Sequence, residues 1–459
     1  MMFGRGESKQ SCSRGLSQRL KEDMISSLPD PLISQILSHL PTKEAVCTSV
    51  LSTRWKSLWL WVPELDLDFY QFPDFNAFVS FGHRVFDSNR VSFIRKVKLD
   101  VEDGVNADES YNLKSWIDSA VNRKIQHLDV RSPEVDYFYQ MPISLYICET
   151  LVFLKIQWVS LPDAELFFSL PCLKTMHLIK VQYPNEAALE TLVSSCPVLE
   201  ELEISLARND AELLRVQSRS LKSLTFIRVS PFQFQSDSVS GVVVDAPLLR
   251  FLSIYDYESD SFHVNNLESN IAKLEIVVNF GLEPFDEASV SARRRRCRIR
   301  SFLPGILRVR DMKIDAGTFK VIHEYTKLEP RPQFRCMSRL FVTICVSDLK
   351  CLPTFLESCP NLKSLVLAID DYGEMSCEEM DQISGYSSVP ECFLQSLEFV
   401  DFVTPISGYA AEMKLVKYFL ENSAVLKTLT LHVNHDGSID YEKLLKIPRG
   451  SSTCQVVLI

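Results

Sequence analysis

The chain has 459 residues, enough for about three ordinary domains, or fewer if part of it is a repeat array. An apolar share of 46%, a charged share of 24% and a net charge of −10 describe an ordinary globular protein and argue against wholesale binding to nucleic acid or anionic membrane. Thirteen cysteines without CxxC pairs argue against a disulfide scaffold and a zinc site, and no apolar run nears the eighteen or so residues of a membrane span.

The opening MMFGRGESKQSCSRGLSQRL is polar and mildly basic, without the apolar core of a signal peptide. Residues 1–21 are therefore expected to form a disordered tail, and the protein to reside in the reducing cytoplasm or nucleus. Leu28-Pro29-Asp30-Pro31 then opens a helix, its prolines placed where a missing amide donor costs least. Ile33, Ile36, Leu37 and Leu40 follow at i, i+3, i+4 and i+7, and Pro41 stops the run. Thr42 is the expected cap of a second short helix carrying Val46, Val50 and Leu51. Ser52 is the expected cap of a third, in which Trp55, Leu58 and Trp59 recur at helical spacing.

Three of the chain's five tryptophans crowd into LSTRWKSLWLWV, residues 51–62. Burying one such ring is worth about 2–3 kcal/mol, so either the chain's own core or a partner must cover them. Three helices in about forty residues rarely bury enough surface to stand alone, which points the same way.

The run LPDPLISQILSHLPTKEAVCTSVLSTRWKSLW resembles an F-box, and residues 22–66 are read as one. The resemblance implies docking on a Skp-type adaptor of a cullin–RING ubiquitin ligase. It assigns Leu28, Pro29, Ile33, Ile36, Leu37, Leu40, Pro41, Val50, Leu51, Arg54, Trp55 and Trp59 to the motif's core or to the adaptor contact. The sequence does not decide which of these face inward.

From about residue 94 an L-x-x-L-x-L pattern recurs, with units starting at Ile125, Leu151, Leu173, Leu199, Leu221, Leu249 and Ile271. Successive starts lie 26, 22, 26, 22, 28 and 22 residues apart, within the leucine-rich-repeat period of about 20–29. LVSSCPVLEELEI (192–204) and FLESCPNLKSLVL (355–367) align almost position for position, each a helical turn, a breaker and a strand. Stacking such units buries a core that none forms alone. The expected fold is α/β: a short three-helix F-box, then an irregular leucine-rich-repeat solenoid over 67–378 with a C-terminal cap. Val181 and Ala207 stand where the consensus places Asn or Cys, which makes the curvature irregular.

The residue between the last two apolar positions of each unit should face outward on the concave side. These are Asp129, Lys155, His177, Glu203, Thr225, Ser253 and Glu275, a mixed and mildly acidic row suited to a protein or small ligand. Simple solvation explains each of them equally well. The register breaks between about 280 and 336, where Arg293 to Arg296, Arg298 and Arg300 form a basic run. It is read first as a solvated loop, with an import signal and a nucleic-acid patch as alternatives.

Residues 379–459, with SLEF near Leu397, EMKLVKYFLENS, LKTLTL and the closing IPRGSSTCQVVLI, are similar to the FBD module found with F-boxes in plant proteins. No phosphate loop, nucleophile elbow or HExxH motif occurs. His432 and His435 would point to opposite faces of a strand, so no catalytic residue, metal or cofactor is expected. The likeness to plant F-box/FBD/leucine-rich-repeat proteins implies a substrate-recognition subunit of an SCF-type ubiquitin ligase. Its partners would be the adaptor and an unknown target, with no membrane. A repeat scaffold acting outside any ligase is the alternative, and the basic run offers a nucleic-acid-binding rival.

Overall fold

The computed structural model describes Ile25 and residues 27–87, 93–101, 110–133, 138–163, 168–206, 213–228, 241–257, 259, 261–265, 271–278, 290–370, 388–406, 410–433, 444 and 446–459. The expected tail, Ala207 and His435 lie outside them. The chain divides into two compact units at Leu65/Asp66.

In the first unit, α1 (Asp30–Leu37) takes Pro29 at its N-cap, a second proline in its first turn and Asp30 beside the positive end of its dipole. Pro41 caps α2 (Thr42–Cys47), so Thr42 is the first helical residue and not the expected cap. The expected third α-helix is a 3₁₀ helix, Trp55–Trp61, capped at Arg54 rather than Ser52. It buries Trp55, Leu58, Trp59 and Leu60. Burying three consecutive side chains needs a wider face than one α-helical stripe, and that demand overrides the local pattern.

The second unit is built on a fifteen-stranded sheet. Its first part comprises β1 (Glu64–Asp68), β2 (Lys96–Asp100) and β3 (His127–Arg131). A two-stranded pair, β4 (Tyr139–Gln140) and β6 (Val159–Ser160), flanks β5 (Phe153–Gln157). The sheet continues with β7 (Thr175–Ile179) and β8 (Glu201–Leu206). Next come β9 (Leu213–Gln217), β10 (Ser223–Arg228), β11 (Gly241–Asp245), β12 (Phe251–Asp256), β13 (Ser261–Asn265) and β14 (Lys273–Val278). The last six are β15 (Asp311–Ile314), β16 (Arg339–Cys345), β17 (Ser364–Asp370), β18 (Phe399–Ile406), β19 (Thr428–Val433) and β20 (Gln455–Leu458). The main sheet takes these in chain order, omitting β4, β6, β9, β11 and β13.

Every neighbouring pair from β2 to β20 in the main sheet runs parallel. Each L-x-x-L-x-L unit enters its strand at the third position. The fourth and sixth positions, such as Leu128 and Val130 or Leu252 and Ile254, are buried. The fifth stays half-exposed, as a period of two requires.

Helices are joined by a second sheet that the leucine spacing does not announce. β9, β11 and β13 pair in parallel, with Leu214, Val242 and Phe262 in one buried row and Val216, Val244 and Val264 in the next. The Phe262 ring meets Phe226 of the main sheet edge-on at 5.8 Å. Elsewhere the connections carry α3 (Phe75–Phe86), α4 (Ser110–Asn122), α5 (Glu186–Ser194), α6 (Val290–Phe302), α7 (Ala316–Leu328), α8 (Leu352–Leu356), α9 (Glu391–Gln395) and α10 (Ala410–Asn422).

Two expectations for 280–336 are corrected. The basic run is helical, forming α6, with Ile299 and Phe302 buried and the Phe302 ring 6.1 Å from Phe262. The sheet also runs unbroken through β15, in register with β14 and β16. The repeat spacing stretches there because a long helix is inserted, while the strand ladder continues.

Candidate functional site

In the first unit the sequence-selected residues separate by burial. Ile33, Leu37, Trp55 and Trp59 are buried, so they present no surface to a partner. Leu28 and Leu40 are half-buried, and Pro29 and Pro41 are exposed. Ile36, Val50 and Leu51 stand open at 44%, 85% and 65% exposure. Leu32, outside the sequence-selected set, joins them one turn before Ile36 on α1. Its signal was the i, i+4 spacing to Ile36 on the side of α1 away from Ile33 and Leu37.

Arg54 ties this unit together. Its Nε donates to Asp30 Oδ1 at 2.8 Å, and its guanidinium also donates to the Leu28 carbonyl oxygen. An exposed ion pair of this kind is worth only about 0–1 kcal/mol, but its two-point geometry fixes the start of α1 against the segment leading into the 3₁₀ helix.

In the second unit the predicted outward residues form one continuous row. Asp129, Lys155, His177, Glu203, Thr225, Ser253 and Glu275 are successive partners across seven neighbouring strands. Lys98 extends the row on one side, and Lys313, Phe341, Val366, Asp401, Thr430 and Val457 extend it on the other. The regular leucine spacing ends at the strand that carries Glu275, because α6 displaces the next one.

Several of these side chains answer one another. Lys155 Nζ lies 4.0 Å from Asp129, and the two ring nitrogens of His177 lie 3.6 Å from Glu201 and Glu203. His432 Nε2 is 3.7 Å from Asp401. Burial raises the Asp100 carboxyl above its usual range, against the lowering pull of Arg131. At the strand entrances a lysine hydrogen bond holds Glu200 and Glu398 low, from Lys222 and Lys427 respectively. Among the described residues no set of three potential metal ligands converges, and no helix is long and apolar enough to cross a membrane.

Buried thiols serve as small core groups. Burial pushes Cys196 and Cys392 up to about 12 and holds Cys359 well above the usual thiol value, which keeps each protonated and unreactive.

Comparison with known proteins gives this arrangement a family. Residues 25–66 match the F-box domain, 113–276 match the leucine-rich repeats described from the FBD-associated F-box protein At5g56370, and 386–431 match FBD. Over 439 residues the chain is 58% identical to "Putative FBD-associated F-box protein At5g53635" of Arabidopsis thaliana, covering 95% of this chain and all of that protein. It is 43% identical to F-box/FBD/LRR-repeat protein At5g22660 of the same plant, over 97% of this chain and 99% of the relative. FBD-associated F-box protein At5g22730 is 42% identical over 97% of this chain and 96% of its own length. The chain belongs to the F-box/FBD/LRR-repeat protein family.

Proposed function

We propose that the protein is the target-recognition subunit of an SCF-type cullin–RING ubiquitin ligase. The F-box unit docks on a Skp-type adaptor, and the row across the parallel sheet holds the target. The observation that carries the reading is the division of apolar residues in the F-box unit. One half is buried and fixes the unit, while Leu32, Ile36, Val50 and Leu51 remain uncovered. Exposed aliphatic side chains grouped in so short a segment mark a protein contact, since each gains about 1.5–3 kcal/mol when covered.

The repeat region would curve as a solenoid with the row on its concave side, and the FBD segment would close its last layer. Catalysis belongs to other subunits. This chain contributes proximity, raising the effective concentration of a target lysine near the charged ubiquitin carrier. Co-expression of the intact chain with a Skp-type adaptor and a cullin tests the reading. Stoichiometric co-elution of all three is expected. A chain that elutes alone, yet still captures a target, would instead favour a repeat scaffold working outside any ligase.

A further inference from the structure

Just beyond Glu275 the outward row enters a depression of about 310 Å³ on β14, β15 and β16. Lys273, Glu275, Asp311, Lys313, Arg339 and Phe341 line it. Their register is close: Lys273, Asp311 and Arg339 are successive cross-strand partners, and Glu275, Lys313 and Phe341 form the adjoining row. The charges are unequally committed. Lys273 Nζ is 2.6 Å from Glu275 and lies 5.2 Å above the Phe251 ring. Lys313 Nζ stands 5.3 Å above the Phe341 ring, and both Lys313 and Arg339 are exposed. Among the described residues neither forms an ion pair with a carboxylate. Three cations against two carboxylates leave one positive charge, on a chain whose net charge is −10.

We propose that this depression receives one acidic side chain of an extended protein segment, together with a neighbouring apolar side chain that packs on Phe341. The inference rests on the reading of the chain as a target-recognition subunit and names the chemistry of the target segment. One carboxylate neutralises the surplus charge. Arg339 offers it a forked pair of donors, and the Lys313 ammonium is pinned beside it by the ring below.

The spacing sets the motif. Arg339 and Phe341 lie two residues apart on β16 and face the same way, a separation of roughly 7 Å. An extended segment running along them covers that distance in about two residues. The acid and the apolar residue are therefore about two positions apart in the target. A polynucleotide fits less well, because Glu275 and Asp311 stand among the cations and would repel successive phosphates.

The test uses the full chain bound to its adaptor and an array of short extended peptides. These vary Glu against Lys at one position and Phe against Ser about two positions away. Peptides with Glu and Phe should bind best. The double change Lys313→Glu/Arg339→Glu should weaken them by about tenfold or more and shift preference to the Lys peptides. Lys417→Glu, exposed on α10 and outside the row, should leave the preference intact. Absence of any preference, preference of the unmodified chain for Lys peptides, or tighter binding of single-stranded RNA would each overturn the proposal. Adaptor co-elution, read from the same samples, separates the two claims. Its loss in the unmodified chain sinks the ligase reading, whereas its retention without peptide preference sinks only this inference.

Discussion

Gly82 and Trp116 show how a single hydrogen atom decides packing between α3 and α4. The Trp116 ring is stacked on Phe86 at 5.6 Å and meets Phe78 edge-on at 5.4 Å, and a Cβ on Gly82 would overlap it. Alanine in mid-helix gains about 1 kcal/mol of propensity over glycine, whereas overpacking a filled core costs about 1–3 kcal/mol. Because Trp116 is held on two other sides, the clash wins. Gly82→Ala is expected to lower the denaturant midpoint of unfolding, and a raised midpoint would show that the ring has room to move.

His323 on α7 makes a different demand. Its ring is stacked on Phe319 at 6.5 Å, and burial, with Lys327 second, holds its pKa below the ordinary 6.5. The unfolded chain therefore takes up a proton on this histidine at a higher pH than the folded chain does. This group's part in stability is complete above about pH 6.5 and is lost as pH falls from there through the folded-state value. Unfolding midpoints measured across pH 5–7.5 should show that slope in the native chain and a shallower one in His323→Gln.

At the scale of elements, the junction between β14 and α7 turns on one hydroxyl. Thr318 Oγ1 accepts from the Val278 amide at 2.8 Å and faces its carbonyl at 3.2 Å, while Asp315 caps α7 by accepting from Thr318 N at 3.0 Å. Thr318→Val keeps the shape and orphans a buried amide, so a loss of about 1–3 kcal/mol is expected in equilibrium unfolding.

The same scale shows which elements could be read from the residues. Strands such as FLSIYD from Phe251 follow a leucine two positions earlier and were legible through that spacing. LLRVQ, GVVVD and SFHVN lack it. They are short apolar runs whose strand character comes from mutual pairing, and pairing between residues 20 and 28 positions apart leaves no periodic trace. α6 hid for another reason. Its arginines dominate the run, and among the described residues Ile299 and Phe302 mark the face it buries. The outward row was legible as far as β14, because an alternating strand declares its faces by itself. It was lost at β15, only four residues long and preceded by a helix that no leucine spacing foretells.

Across the whole molecule the F-box family membership and the fifteen-stranded sheet together define a chain with two kinds of open surface. In the first unit the surface is aliphatic, which suits a permanent partner. On the sheet it is charged and mixed, which suits selective and reversible binding. Burial could not be assigned in the F-box from its sequence, since Leu32/Ile36 and Ile33/Leu37 share the same i, i+4 spacing and only tertiary packing separates them. That division makes a sharp demand on the proposed adaptor contact: exposed positions should govern binding without governing folding.

The most direct measurement is calorimetric titration of a Skp-type adaptor into the intact chain and into a Val50→Asp/Leu51→Asp variant, with the unfolding midpoint of each recorded. The account predicts one-to-one binding by the intact chain, a loss of at least about a hundredfold in the variant, and matching midpoints. Undiminished binding by the variant, or no binding by the intact chain, would contradict it.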